Sequence, residues 1–160
     1  MDDVPALSVV AGTWDVARWM TFAFPHPYTL EDARAWIATS SAESPTNNFA
    51  IEVNGALAGG AGMRPLGGES IGVAEFGYWL GRAYWGRGIA TEAAGMLAHH
   101  ALTERNLRRL EAHVYAPNVA SARVLEKIGF TREAVLRSAV IERDGSVVDA
   151  WLYARLRQMA

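Results

Sequence analysis

Two glycines that stand directly before a predicted helix have the spacing of an anion-binding turn. The segment from Val73 to Glu92 reads VAEFGYWLGRAYWGRGIATE, in which a strand-like run precedes a short polar turn and then Gly86 and Gly88. Glycine lets the backbone turn tightly and approach a ligand, and the first N–H groups of a helix lie unpaired at the positive end of its dipole. The segment therefore predicts a phosphate or pyrophosphate site, although glycine-rich turns are common and the spacing alone does not name the ligand.

Composition and charge limit the function classes that remain. The chain has 160 residues, of which 51% are hydrophobic and 20% charged, as expected for a single globular domain spanning residues 1–160. Its formal net charge of -2 gives no electrostatic reason to expect a nucleic acid or a membrane surface as partner. The absence of cysteine excludes thiolate ligands, and no carboxylate accompanies His99 and His100 at metal-ligand spacing, so we expect no metal.

The start of the chain gives no sign of export. The first residues, MDDVPALSVVAG, are acidic and lack a basic region before an apolar run, which argues against a signal peptide. No apolar run reaches the roughly 20 residues that a membrane span needs. We therefore predict a soluble cytoplasmic protein.

Periodicity and turn signals indicate the elements before the glycine turn. A weak helical pattern runs from Asp2 to Trp19, and a turn-rich segment follows from Phe24 to Tyr28. Thr29 and Asp32 form a predicted capping box for a helix from Leu30 to Ser40. The helix residues expected to face inward are Ala33, Trp36 and Ile37. Two strands, Phe49 to Val53 and Ala56 to Arg64, should form a hairpin around Asn54-Gly55.

The elements after the turn complete a mixed fold. Alanines and leucines at helical spacing between Ala90 and Ala101 predict a helix, and Leu110 to Tyr115 predicts a strand. Asn118 should cap a helix that Gly129 ends. The last two strands, Val135 to Ile141 and Val147 to Leu156, should pair around Asp144-Gly145. The order of elements predicts an α/β or α+β fold with helices packed on a sheet.

Two signatures in the second half resemble a known superfamily. WGRGIATEA, from Trp85, and NVASARVLEKIGF, from Asn118, are similar to the paired motifs of the GNAT superfamily of acetyl-coenzyme A-dependent N-acetyltransferases. The closest resemblance is to the subgroup that includes enzymes acetylating the N-terminal alanine of ribosomal proteins, and it runs from about Val16 to Leu156. It implies transfer of an acetyl group to a primary amine. It also implies a mixed, mostly antiparallel central sheet with helices on both faces and splayed strands at the acetyl-CoA site.

The resemblance assigns the cosubstrate site. In the family, backbone N–H groups equivalent to those of residues 86 to 91 hold the pyrophosphate, with Trp85 standing where Gln or Arg is usual. The loop residues concerned are Trp85, Gly86, Arg87, Gly88, Ile89, Ala90 and Thr91. The pantetheine arm would pair beside Tyr78, Trp79 and Leu80, with an N–H near Leu80 polarising the thioester carbonyl. Asn118 would donate a hydrogen bond to the arm, or it would act only as a helix cap.

An acetyl transfer to an amine also needs a base, because an alkyl amine with a pKa of about 10.4 is mostly protonated at neutral pH. The resemblance implies Glu75, on the strand before the loop, as one candidate. His113, five residues before Asn118, is another, since an imidazole titrates near neutrality. Glu111 shares the predicted sheet face of His113. Each of the three has an alternative interpretation as an ordinary solvated or hydrogen-bonded sheet residue.

The proton donor is not the family's usual one. Many members carry a tyrosine seven residues after the asparagine, and this chain has Leu125 there. Within the subgroup, Ser121 is the implied substitute, since a hydroxyl in the first turn of its helix can hydrogen-bond the departing thiolate. The same hydroxyl could instead serve only in helix capping.

The acceptor and the partners stay open at the level of sequence. In the family, the loop that contains His26, with Phe24, Tyr28 and Trp36 nearby, borders the acceptor, which could be a peptide N-terminus, a lysine, a polyamine or an antibiotic amine. Family members usually begin with a strand that precedes a helix start like the one at Asp3, and this sequence shows no such strand, so either the natural chain starts further upstream or the sheet lacks its first strand. The sheet edge left bare would favour pairing with another chain, so a homodimer is possible.

Two rival functions compete with the enzyme hypothesis. A module that binds acetyl-CoA without turnover would keep the loop and dispense with the base and the tyrosine. A dinucleotide-binding domain is disfavoured, because the loop is not G-x-G-x-x-G and the strands do not alternate with long helices.

Overall fold

A computed structural model describes residues 3–158 and shows a mixed α/β architecture. The helices are α1 (Val4–Ala11), α2 (Trp14–Ala17), α3 (Leu30–Ser41), α4 (Ile89–Thr103) and α5 (Val119–Lys127). The strands are β1 (Asn48–Val53), β2 (Ala56–Pro65), β3 (Val73–Leu80), β4 (Arg109–Tyr115), β5 (Thr131–Ile141) and β6 (Val147–Leu156). Short 3-10 turns cover Gly68–Ser70 and Arg82–Tyr84.

The six strands form one sheet in the order β1-β2-β3-β4-β6-β5. The β1–β2, β4–β6 and β5–β6 pairs are antiparallel, and the β3–β4 pair is parallel. The predicted fold class is confirmed. Among residues 3–158, no helix has both the length and the apolar character that crossing a membrane requires.

The parallel ladder between β3 and β4 is short. It consists of the pairs Val73–Arg109, Ala74–Leu110 and Glu75–Glu111, and within the described residues it goes no further. β4 itself continues to pair with β6 as far as Tyr115. The two central strands therefore part after their first three residues.

Residue contacts divide the chain into two compact units. The first contains the described residues up to Gly62 together with Tyr78–Ile89. In its core, Leu7 and Ala11 of α1 meet Tyr28 and Ala33, and the partly buried side chains packed on this cluster are Val4, Phe24, Ile37, Leu57 and Trp79. The predicted capping box fixes the start of α3, because Thr29 Oγ1 accepts from the Asp32 N–H while the Asp32 side chain accepts from the Thr29 N–H.

The second unit contains Met63–Gly77 and the described residues from Ala90 onwards. Alternation along β4 buries Leu110, Ala112 and Val114 on one side, while Glu111 and His113 lie on the other. The largest fully buried side chains in this unit are those of Leu110, Leu125 and Tyr153. The α5 helix starts at the predicted cap, since Asn118 accepts a hydrogen bond from the Ser121 N–H.

One prediction about the first unit was wrong in detail. The weak helical pattern from Asp2 to Trp19 corresponds to two helices, α1 and α2, separated around Gly12, and Asp2 itself lies outside the described residues. Trp36 was expected to face inward, but it is 48% exposed. The buried stripe of α3 is narrow: Ala33 is buried and Ile37 partly so.

Candidate functional site

The glycine turn has the backbone that an anion cradle requires. Gly86 and Gly88 adopt φ values of 72° and 81°, in the left-handed region that other residues avoid. A Cβ built on either glycine would have no atom within 4 Å, so the space in front of the turn is open. α4 begins at Ile89, and the N–H groups of its first turn have no intrahelical acceptor. These observations fit a diphosphate bound to backbone N–H groups.

Trp85 anchors the start of this turn. Its indole Nε1 donates a hydrogen bond of 2.8 Å to the carbonyl of Leu80, the last residue of β3. The Arg82 guanidinium carbon lies 5.5 Å from the centre of the Trp85 ring, and Arg82 Nη1 forms an ion pair of 2.9 Å with Asp15 of α2. The tryptophan that replaces the family's Gln or Arg therefore ties the turn to the end of β3.

The end of β3 lies against a glycine-rich part of β2. A Cβ on Gly60 would come within 2.8 Å of Trp79 Nε1, so only glycine leaves room for this indole. The Phe24 ring packs edge-on against Trp79, with a centroid distance of 5.8 Å. The absence of a side chain at Gly60 thus permits the close approach of Trp79 to β2.

Two of the three candidate bases are held in ion pairs. Arg64 contacts both carboxylate oxygens of Glu75, at 3.1 Å from Nε and 2.6 Å from Nη2. Glu111 accepts a hydrogen bond of 2.6 Å from Arg109 Nε.

Arg109 also binds Glu133, and this pair is the stronger of its two. Two parallel hydrogen bonds of 3.0 and 2.5 Å join the guanidinium to the Glu133 carboxylate. The pKa of Glu133 lies below its usual range because of this hydrogen bonding, and Glu133 in turn raises the pKa of Arg109. Arg109 and Glu133 therefore keep their charges at neutral pH, and their ion pair joins the start of β4 to β5.

His113 differs from both carboxylates. It is exposed on β4, two residues beyond the last pair with β3, and its imidazole has no hydrogen-bond partner in the described part of the chain. It shares its sheet face with Glu111, since side chains alternate along the strand. Of the three candidate bases, His113 is therefore the one whose side chain no other described residue holds by a hydrogen bond or an ion pair.

The start of α5 holds the other two predicted residues. Asn118 Oδ1 accepts from the Ser121 N–H at 3.2 Å, which leaves the side-chain Nδ2 of Asn118 without an acceptor among residues 3–158. Asn118 and Ser121 are both partly buried in the first turn. Leu125 is only 1% exposed and belongs to the core, so the position of the family's tyrosine is used here for packing.

The predicted residues fall into two groups. Those in the first unit are Tyr78, Trp79, Leu80, Trp85, Gly86, Arg87, Gly88 and Ile89, and those in the second are Glu75, Ala90, Thr91, His113, Asn118 and Ser121. Direct hydrogen bonds join Trp85 to Leu80 and Asn118 to Ser121. Sequence reasoning missed Arg82 and Asp15, which lie 67 positions apart and leave no local signal. Residues 3–158 contain no group of three or more His, Cys, Asp or Glu arranged to hold a metal.

Comparison with known proteins agrees with this architecture. The family model for an acetyltransferase (GNAT) domain matches residues 1–131. The chain is 30% identical to the "Uncharacterized N-acetyltransferase p20" of Bacillus licheniformis over 99% of its own length and 89% of that protein. It is also 36% identical to the ribosomal-protein-serine acetyltransferase of Escherichia coli, over 52% of this chain and 45% of that one.

A solved structure extends the similarity to three dimensions. RimJ of Mycobacterium smegmatis, in complex with CoA-disulfide, superposes with a TM-score of 0.83 at 26% identity, covering 96% of this chain and 77% of RimJ. The chain therefore belongs to the GNAT acetyltransferase family and is an acetyl-CoA-dependent acetyltransferase. The resemblance to ribosomal-protein acetyltransferases is confirmed.

Proposed function

We propose that this protein transfers the acetyl group of acetyl-CoA to a primary amine, either a peptide N-terminus or a small-molecule amine. The observation that carries the proposal is the open turn at Gly86 and Gly88, followed directly by α4. Its N–H groups would hold the diphosphate, and Asn118 Nδ2 would donate to an amide carbonyl of the pantetheine arm. When bound, acetyl-CoA supplies the activated acetyl group.

The proton of the attacking amine would pass to His113. Among the three candidates it alone is free of a hydrogen bond or ion pair within the described residues, whereas Arg64 holds Glu75 and Arg109 holds Glu111. Its exposure also lets it return the proton to water. Glu75 and Glu111 would then support the sheet, with Glu75 as the alternative base.

The leaving thiolate would be stabilised by Ser121 Oγ. This hydroxyl lies in the first turn of α5, where the helix dipole also favours negative charge. The Leu80 N–H, at the end of β3, would polarise the reacting carbonyl. Trp85 would hold that strand end in place through the Leu80 carbonyl.

The acceptor proposal stays at the level of a primary amine. The name of one relative specifies a ribosomal-protein serine, which supports including peptide N-termini among the acceptors tested. A cytoplasmic location and a homodimer remain predictions from the sequence, as does a single domain.

A two-part experiment tests the function. Calorimetric titration of the protein with acetyl-CoA should show binding, with the Gly88→Ala variant as a weakened control. Release of free thiol in the presence of a panel of peptide N-termini and small amines should then identify at least one accepted amine. Heat without turnover on any amine would leave only a binding module, and the absence of heat would refute the site itself.

A further inference from the structure

A pocket on the outside of α3 has not been used by the proposed reaction. It has a volume of about 250 Å³ and is lined by the helix and by the turn-rich loop before it. Its chemically distinctive lining residues are Tyr28, Asp32 and Trp36, and the rest of the lining consists of small residues. All of these residues belong to the first unit.

Asp32, which lines this pocket, has one carboxylate oxygen that the hydrogen bonds with Thr29 do not use. Its Oδ2 accepts from the Thr29 N–H at 2.8 Å and from the Thr29 hydroxyl at 2.7 Å. Its Oδ1 has no hydrogen-bond partner within residues 3–158. The two hydrogen bonds from Thr29 hold the pKa of Asp32 below its usual value, so the carboxylate stays charged at neutral pH. The pocket therefore contains a fixed negative charge.

Aromatic walls complete the pocket. Trp36 lies 48% exposed, one helical turn after Asp32, and Tyr28 is buried on the other side. The exposure of Trp36, which the helical pattern did not predict, leaves about half of its side chain accessible. A carboxylate beside an indole face and a tyrosine attracts an organic cation through charge and through cation–π contact.

We infer that this pocket binds a second, non-reacting cationic group of the acceptor, an ammonium or a guanidinium, and that the preferred acceptors are amines that carry such a group. The inference rests on the proposed function, since it names the acceptor class of the same reaction.

A packing path connects the pocket to the end of β3. The Tyr28 ring lies 5.0 Å from the Phe24 ring, and Phe24 in turn lies 5.8 Å from Trp79, measured between ring centres. One aromatic layer thus separates the pocket wall from the strand end that the proposed reaction uses. The two centroid distances together approach the extended length of an eight-carbon diamine, so we expect only the longer acceptors of a series to span them.

Matched acceptors test the inference. The first set compares 1,4-diaminobutane, 1,6-diaminohexane and 1,8-diaminooctane with butylamine, hexylamine and octylamine. The second set compares short peptides that begin Ala-Arg with peptides that begin Ala-Gln. We expect kcat/KM for the best dication to exceed that of its monocation partner by about fivefold to tenfold, as a partly exposed charge and a cation–π contact together provide. The set with the larger ratio of kcat/KM between dication and monocation shows whether the second cationic group belongs to a small diamine or to a peptide.

Variants attribute the preference to the pocket. Asp32→Asn keeps an acceptor for the Thr29 cap and should reduce the ratio to about twofold or less, and Trp36→Leu should lower it while keeping the carboxylate. Glu31→Gln is the matched control, because Glu31 is an exposed carboxylate in the same first turn that does not line the pocket. Circular dichroism establishes that each variant is folded.

Direct titration separates this inference from the proposed function. Calorimetry with the preferred diamine in the absence of acetyl-CoA should show binding that Asp32→Asn weakens and Glu31→Gln does not. Equal kcat/KM for dications and monocations, with acetyl-CoA bound and monoamines acetylated, would overturn the pocket and leave the reaction intact. Diamine binding without any acetyl-CoA binding would instead refute the reaction while supporting the cation site. If Glu31→Gln reduced the ratio of kcat/KM between dication and monocation as much as Asp32→Asn does, the assignment of the cation site to this pocket would also be overturned.

Discussion

Replacing Trp85 with phenylalanine should weaken acetyl-CoA binding without unfolding the protein. The substitution keeps an aromatic ring beside Arg82 but replaces the indole by a smaller phenyl ring, and it removes the N–H that donates at 2.8 Å to the Leu80 carbonyl. A neutral hydrogen bond of this kind contributes about 1 kcal/mol net, and the 40% exposure of Trp85 lets water replace it, which argues against a larger cost. Since 1.4 kcal/mol corresponds to tenfold, we expect affinity to fall about fivefold.

The assay combines calorimetric titration of acetyl-CoA with thiol-release kinetics at saturating acceptor. Trp14→Phe is the matched control, because its indole N–H has no hydrogen-bond partner in the described chain and its ring lies half-exposed. The KM for acetyl-CoA should rise in Trp85→Phe and stay constant in Trp14→Phe. Equal constants in the two variants would show that the bond to Leu80 does not position the turn, and the reasoning would fail.

Three further outcomes are expected. His113→Gln should lower kcat about 100-fold with unchanged acetyl-CoA affinity, whereas His99→Gln on the exposed side of α4 should not; a loss below twofold would exclude His113 as base. Gly88→Ala and Gly145→Ala, both at φ above 80°, should each cost about 1 kcal/mol of stability, but only the former should reduce acetyl-CoA affinity in calorimetry. The hydrogen-bonded ion pair with Arg109 lowers the pKa of Glu133. The stabilisation that this ion pair gives to the folded protein is therefore present above the usual pKa of a carboxyl group, and it is lost as the pH falls through the lowered pKa. Denaturation curves of wild type and Glu133→Gln should therefore converge in acid, and a constant difference would contradict the assignment.

Much of the fold could be predicted because its signals are local. The bounds of β3 and β6 follow from strand-like runs, and the start of α3 follows from the capping pair of Thr29 and Asp32. β5 starts at Thr131, four residues before the predicted start at Val135, because its first residues are polar and mostly exposed and show no alternation. The β-propensity of a sequence segment cannot predict strand residues that are stabilised by pairing with a neighbouring strand, as the first residues of β5 are by β6.

The site was predictable only where the backbone defines it. Glycines reveal the turn at residues 86–88, since they mark the unusual φ values directly. Ion pairs such as Arg64–Glu75 and Arg82–Asp15 depend on which strands and helices pack together. The partners are far apart in the sequence, so local patterns do not predict these ion pairs. The capping role of Asp32 could be predicted, but its second, unoccupied oxygen in a pocket could not.

The contact between Gly60 and Trp79 couples two positions that the chain separates. Neither residue can change in size alone without a clash or a void, so substitutions at these sites should be inherited as a pair among homologues. A larger side chain on β2 becomes tolerable only once the indole has been exchanged for something smaller. Reshaping this part of the protein by directed evolution will therefore require double mutants from the outset.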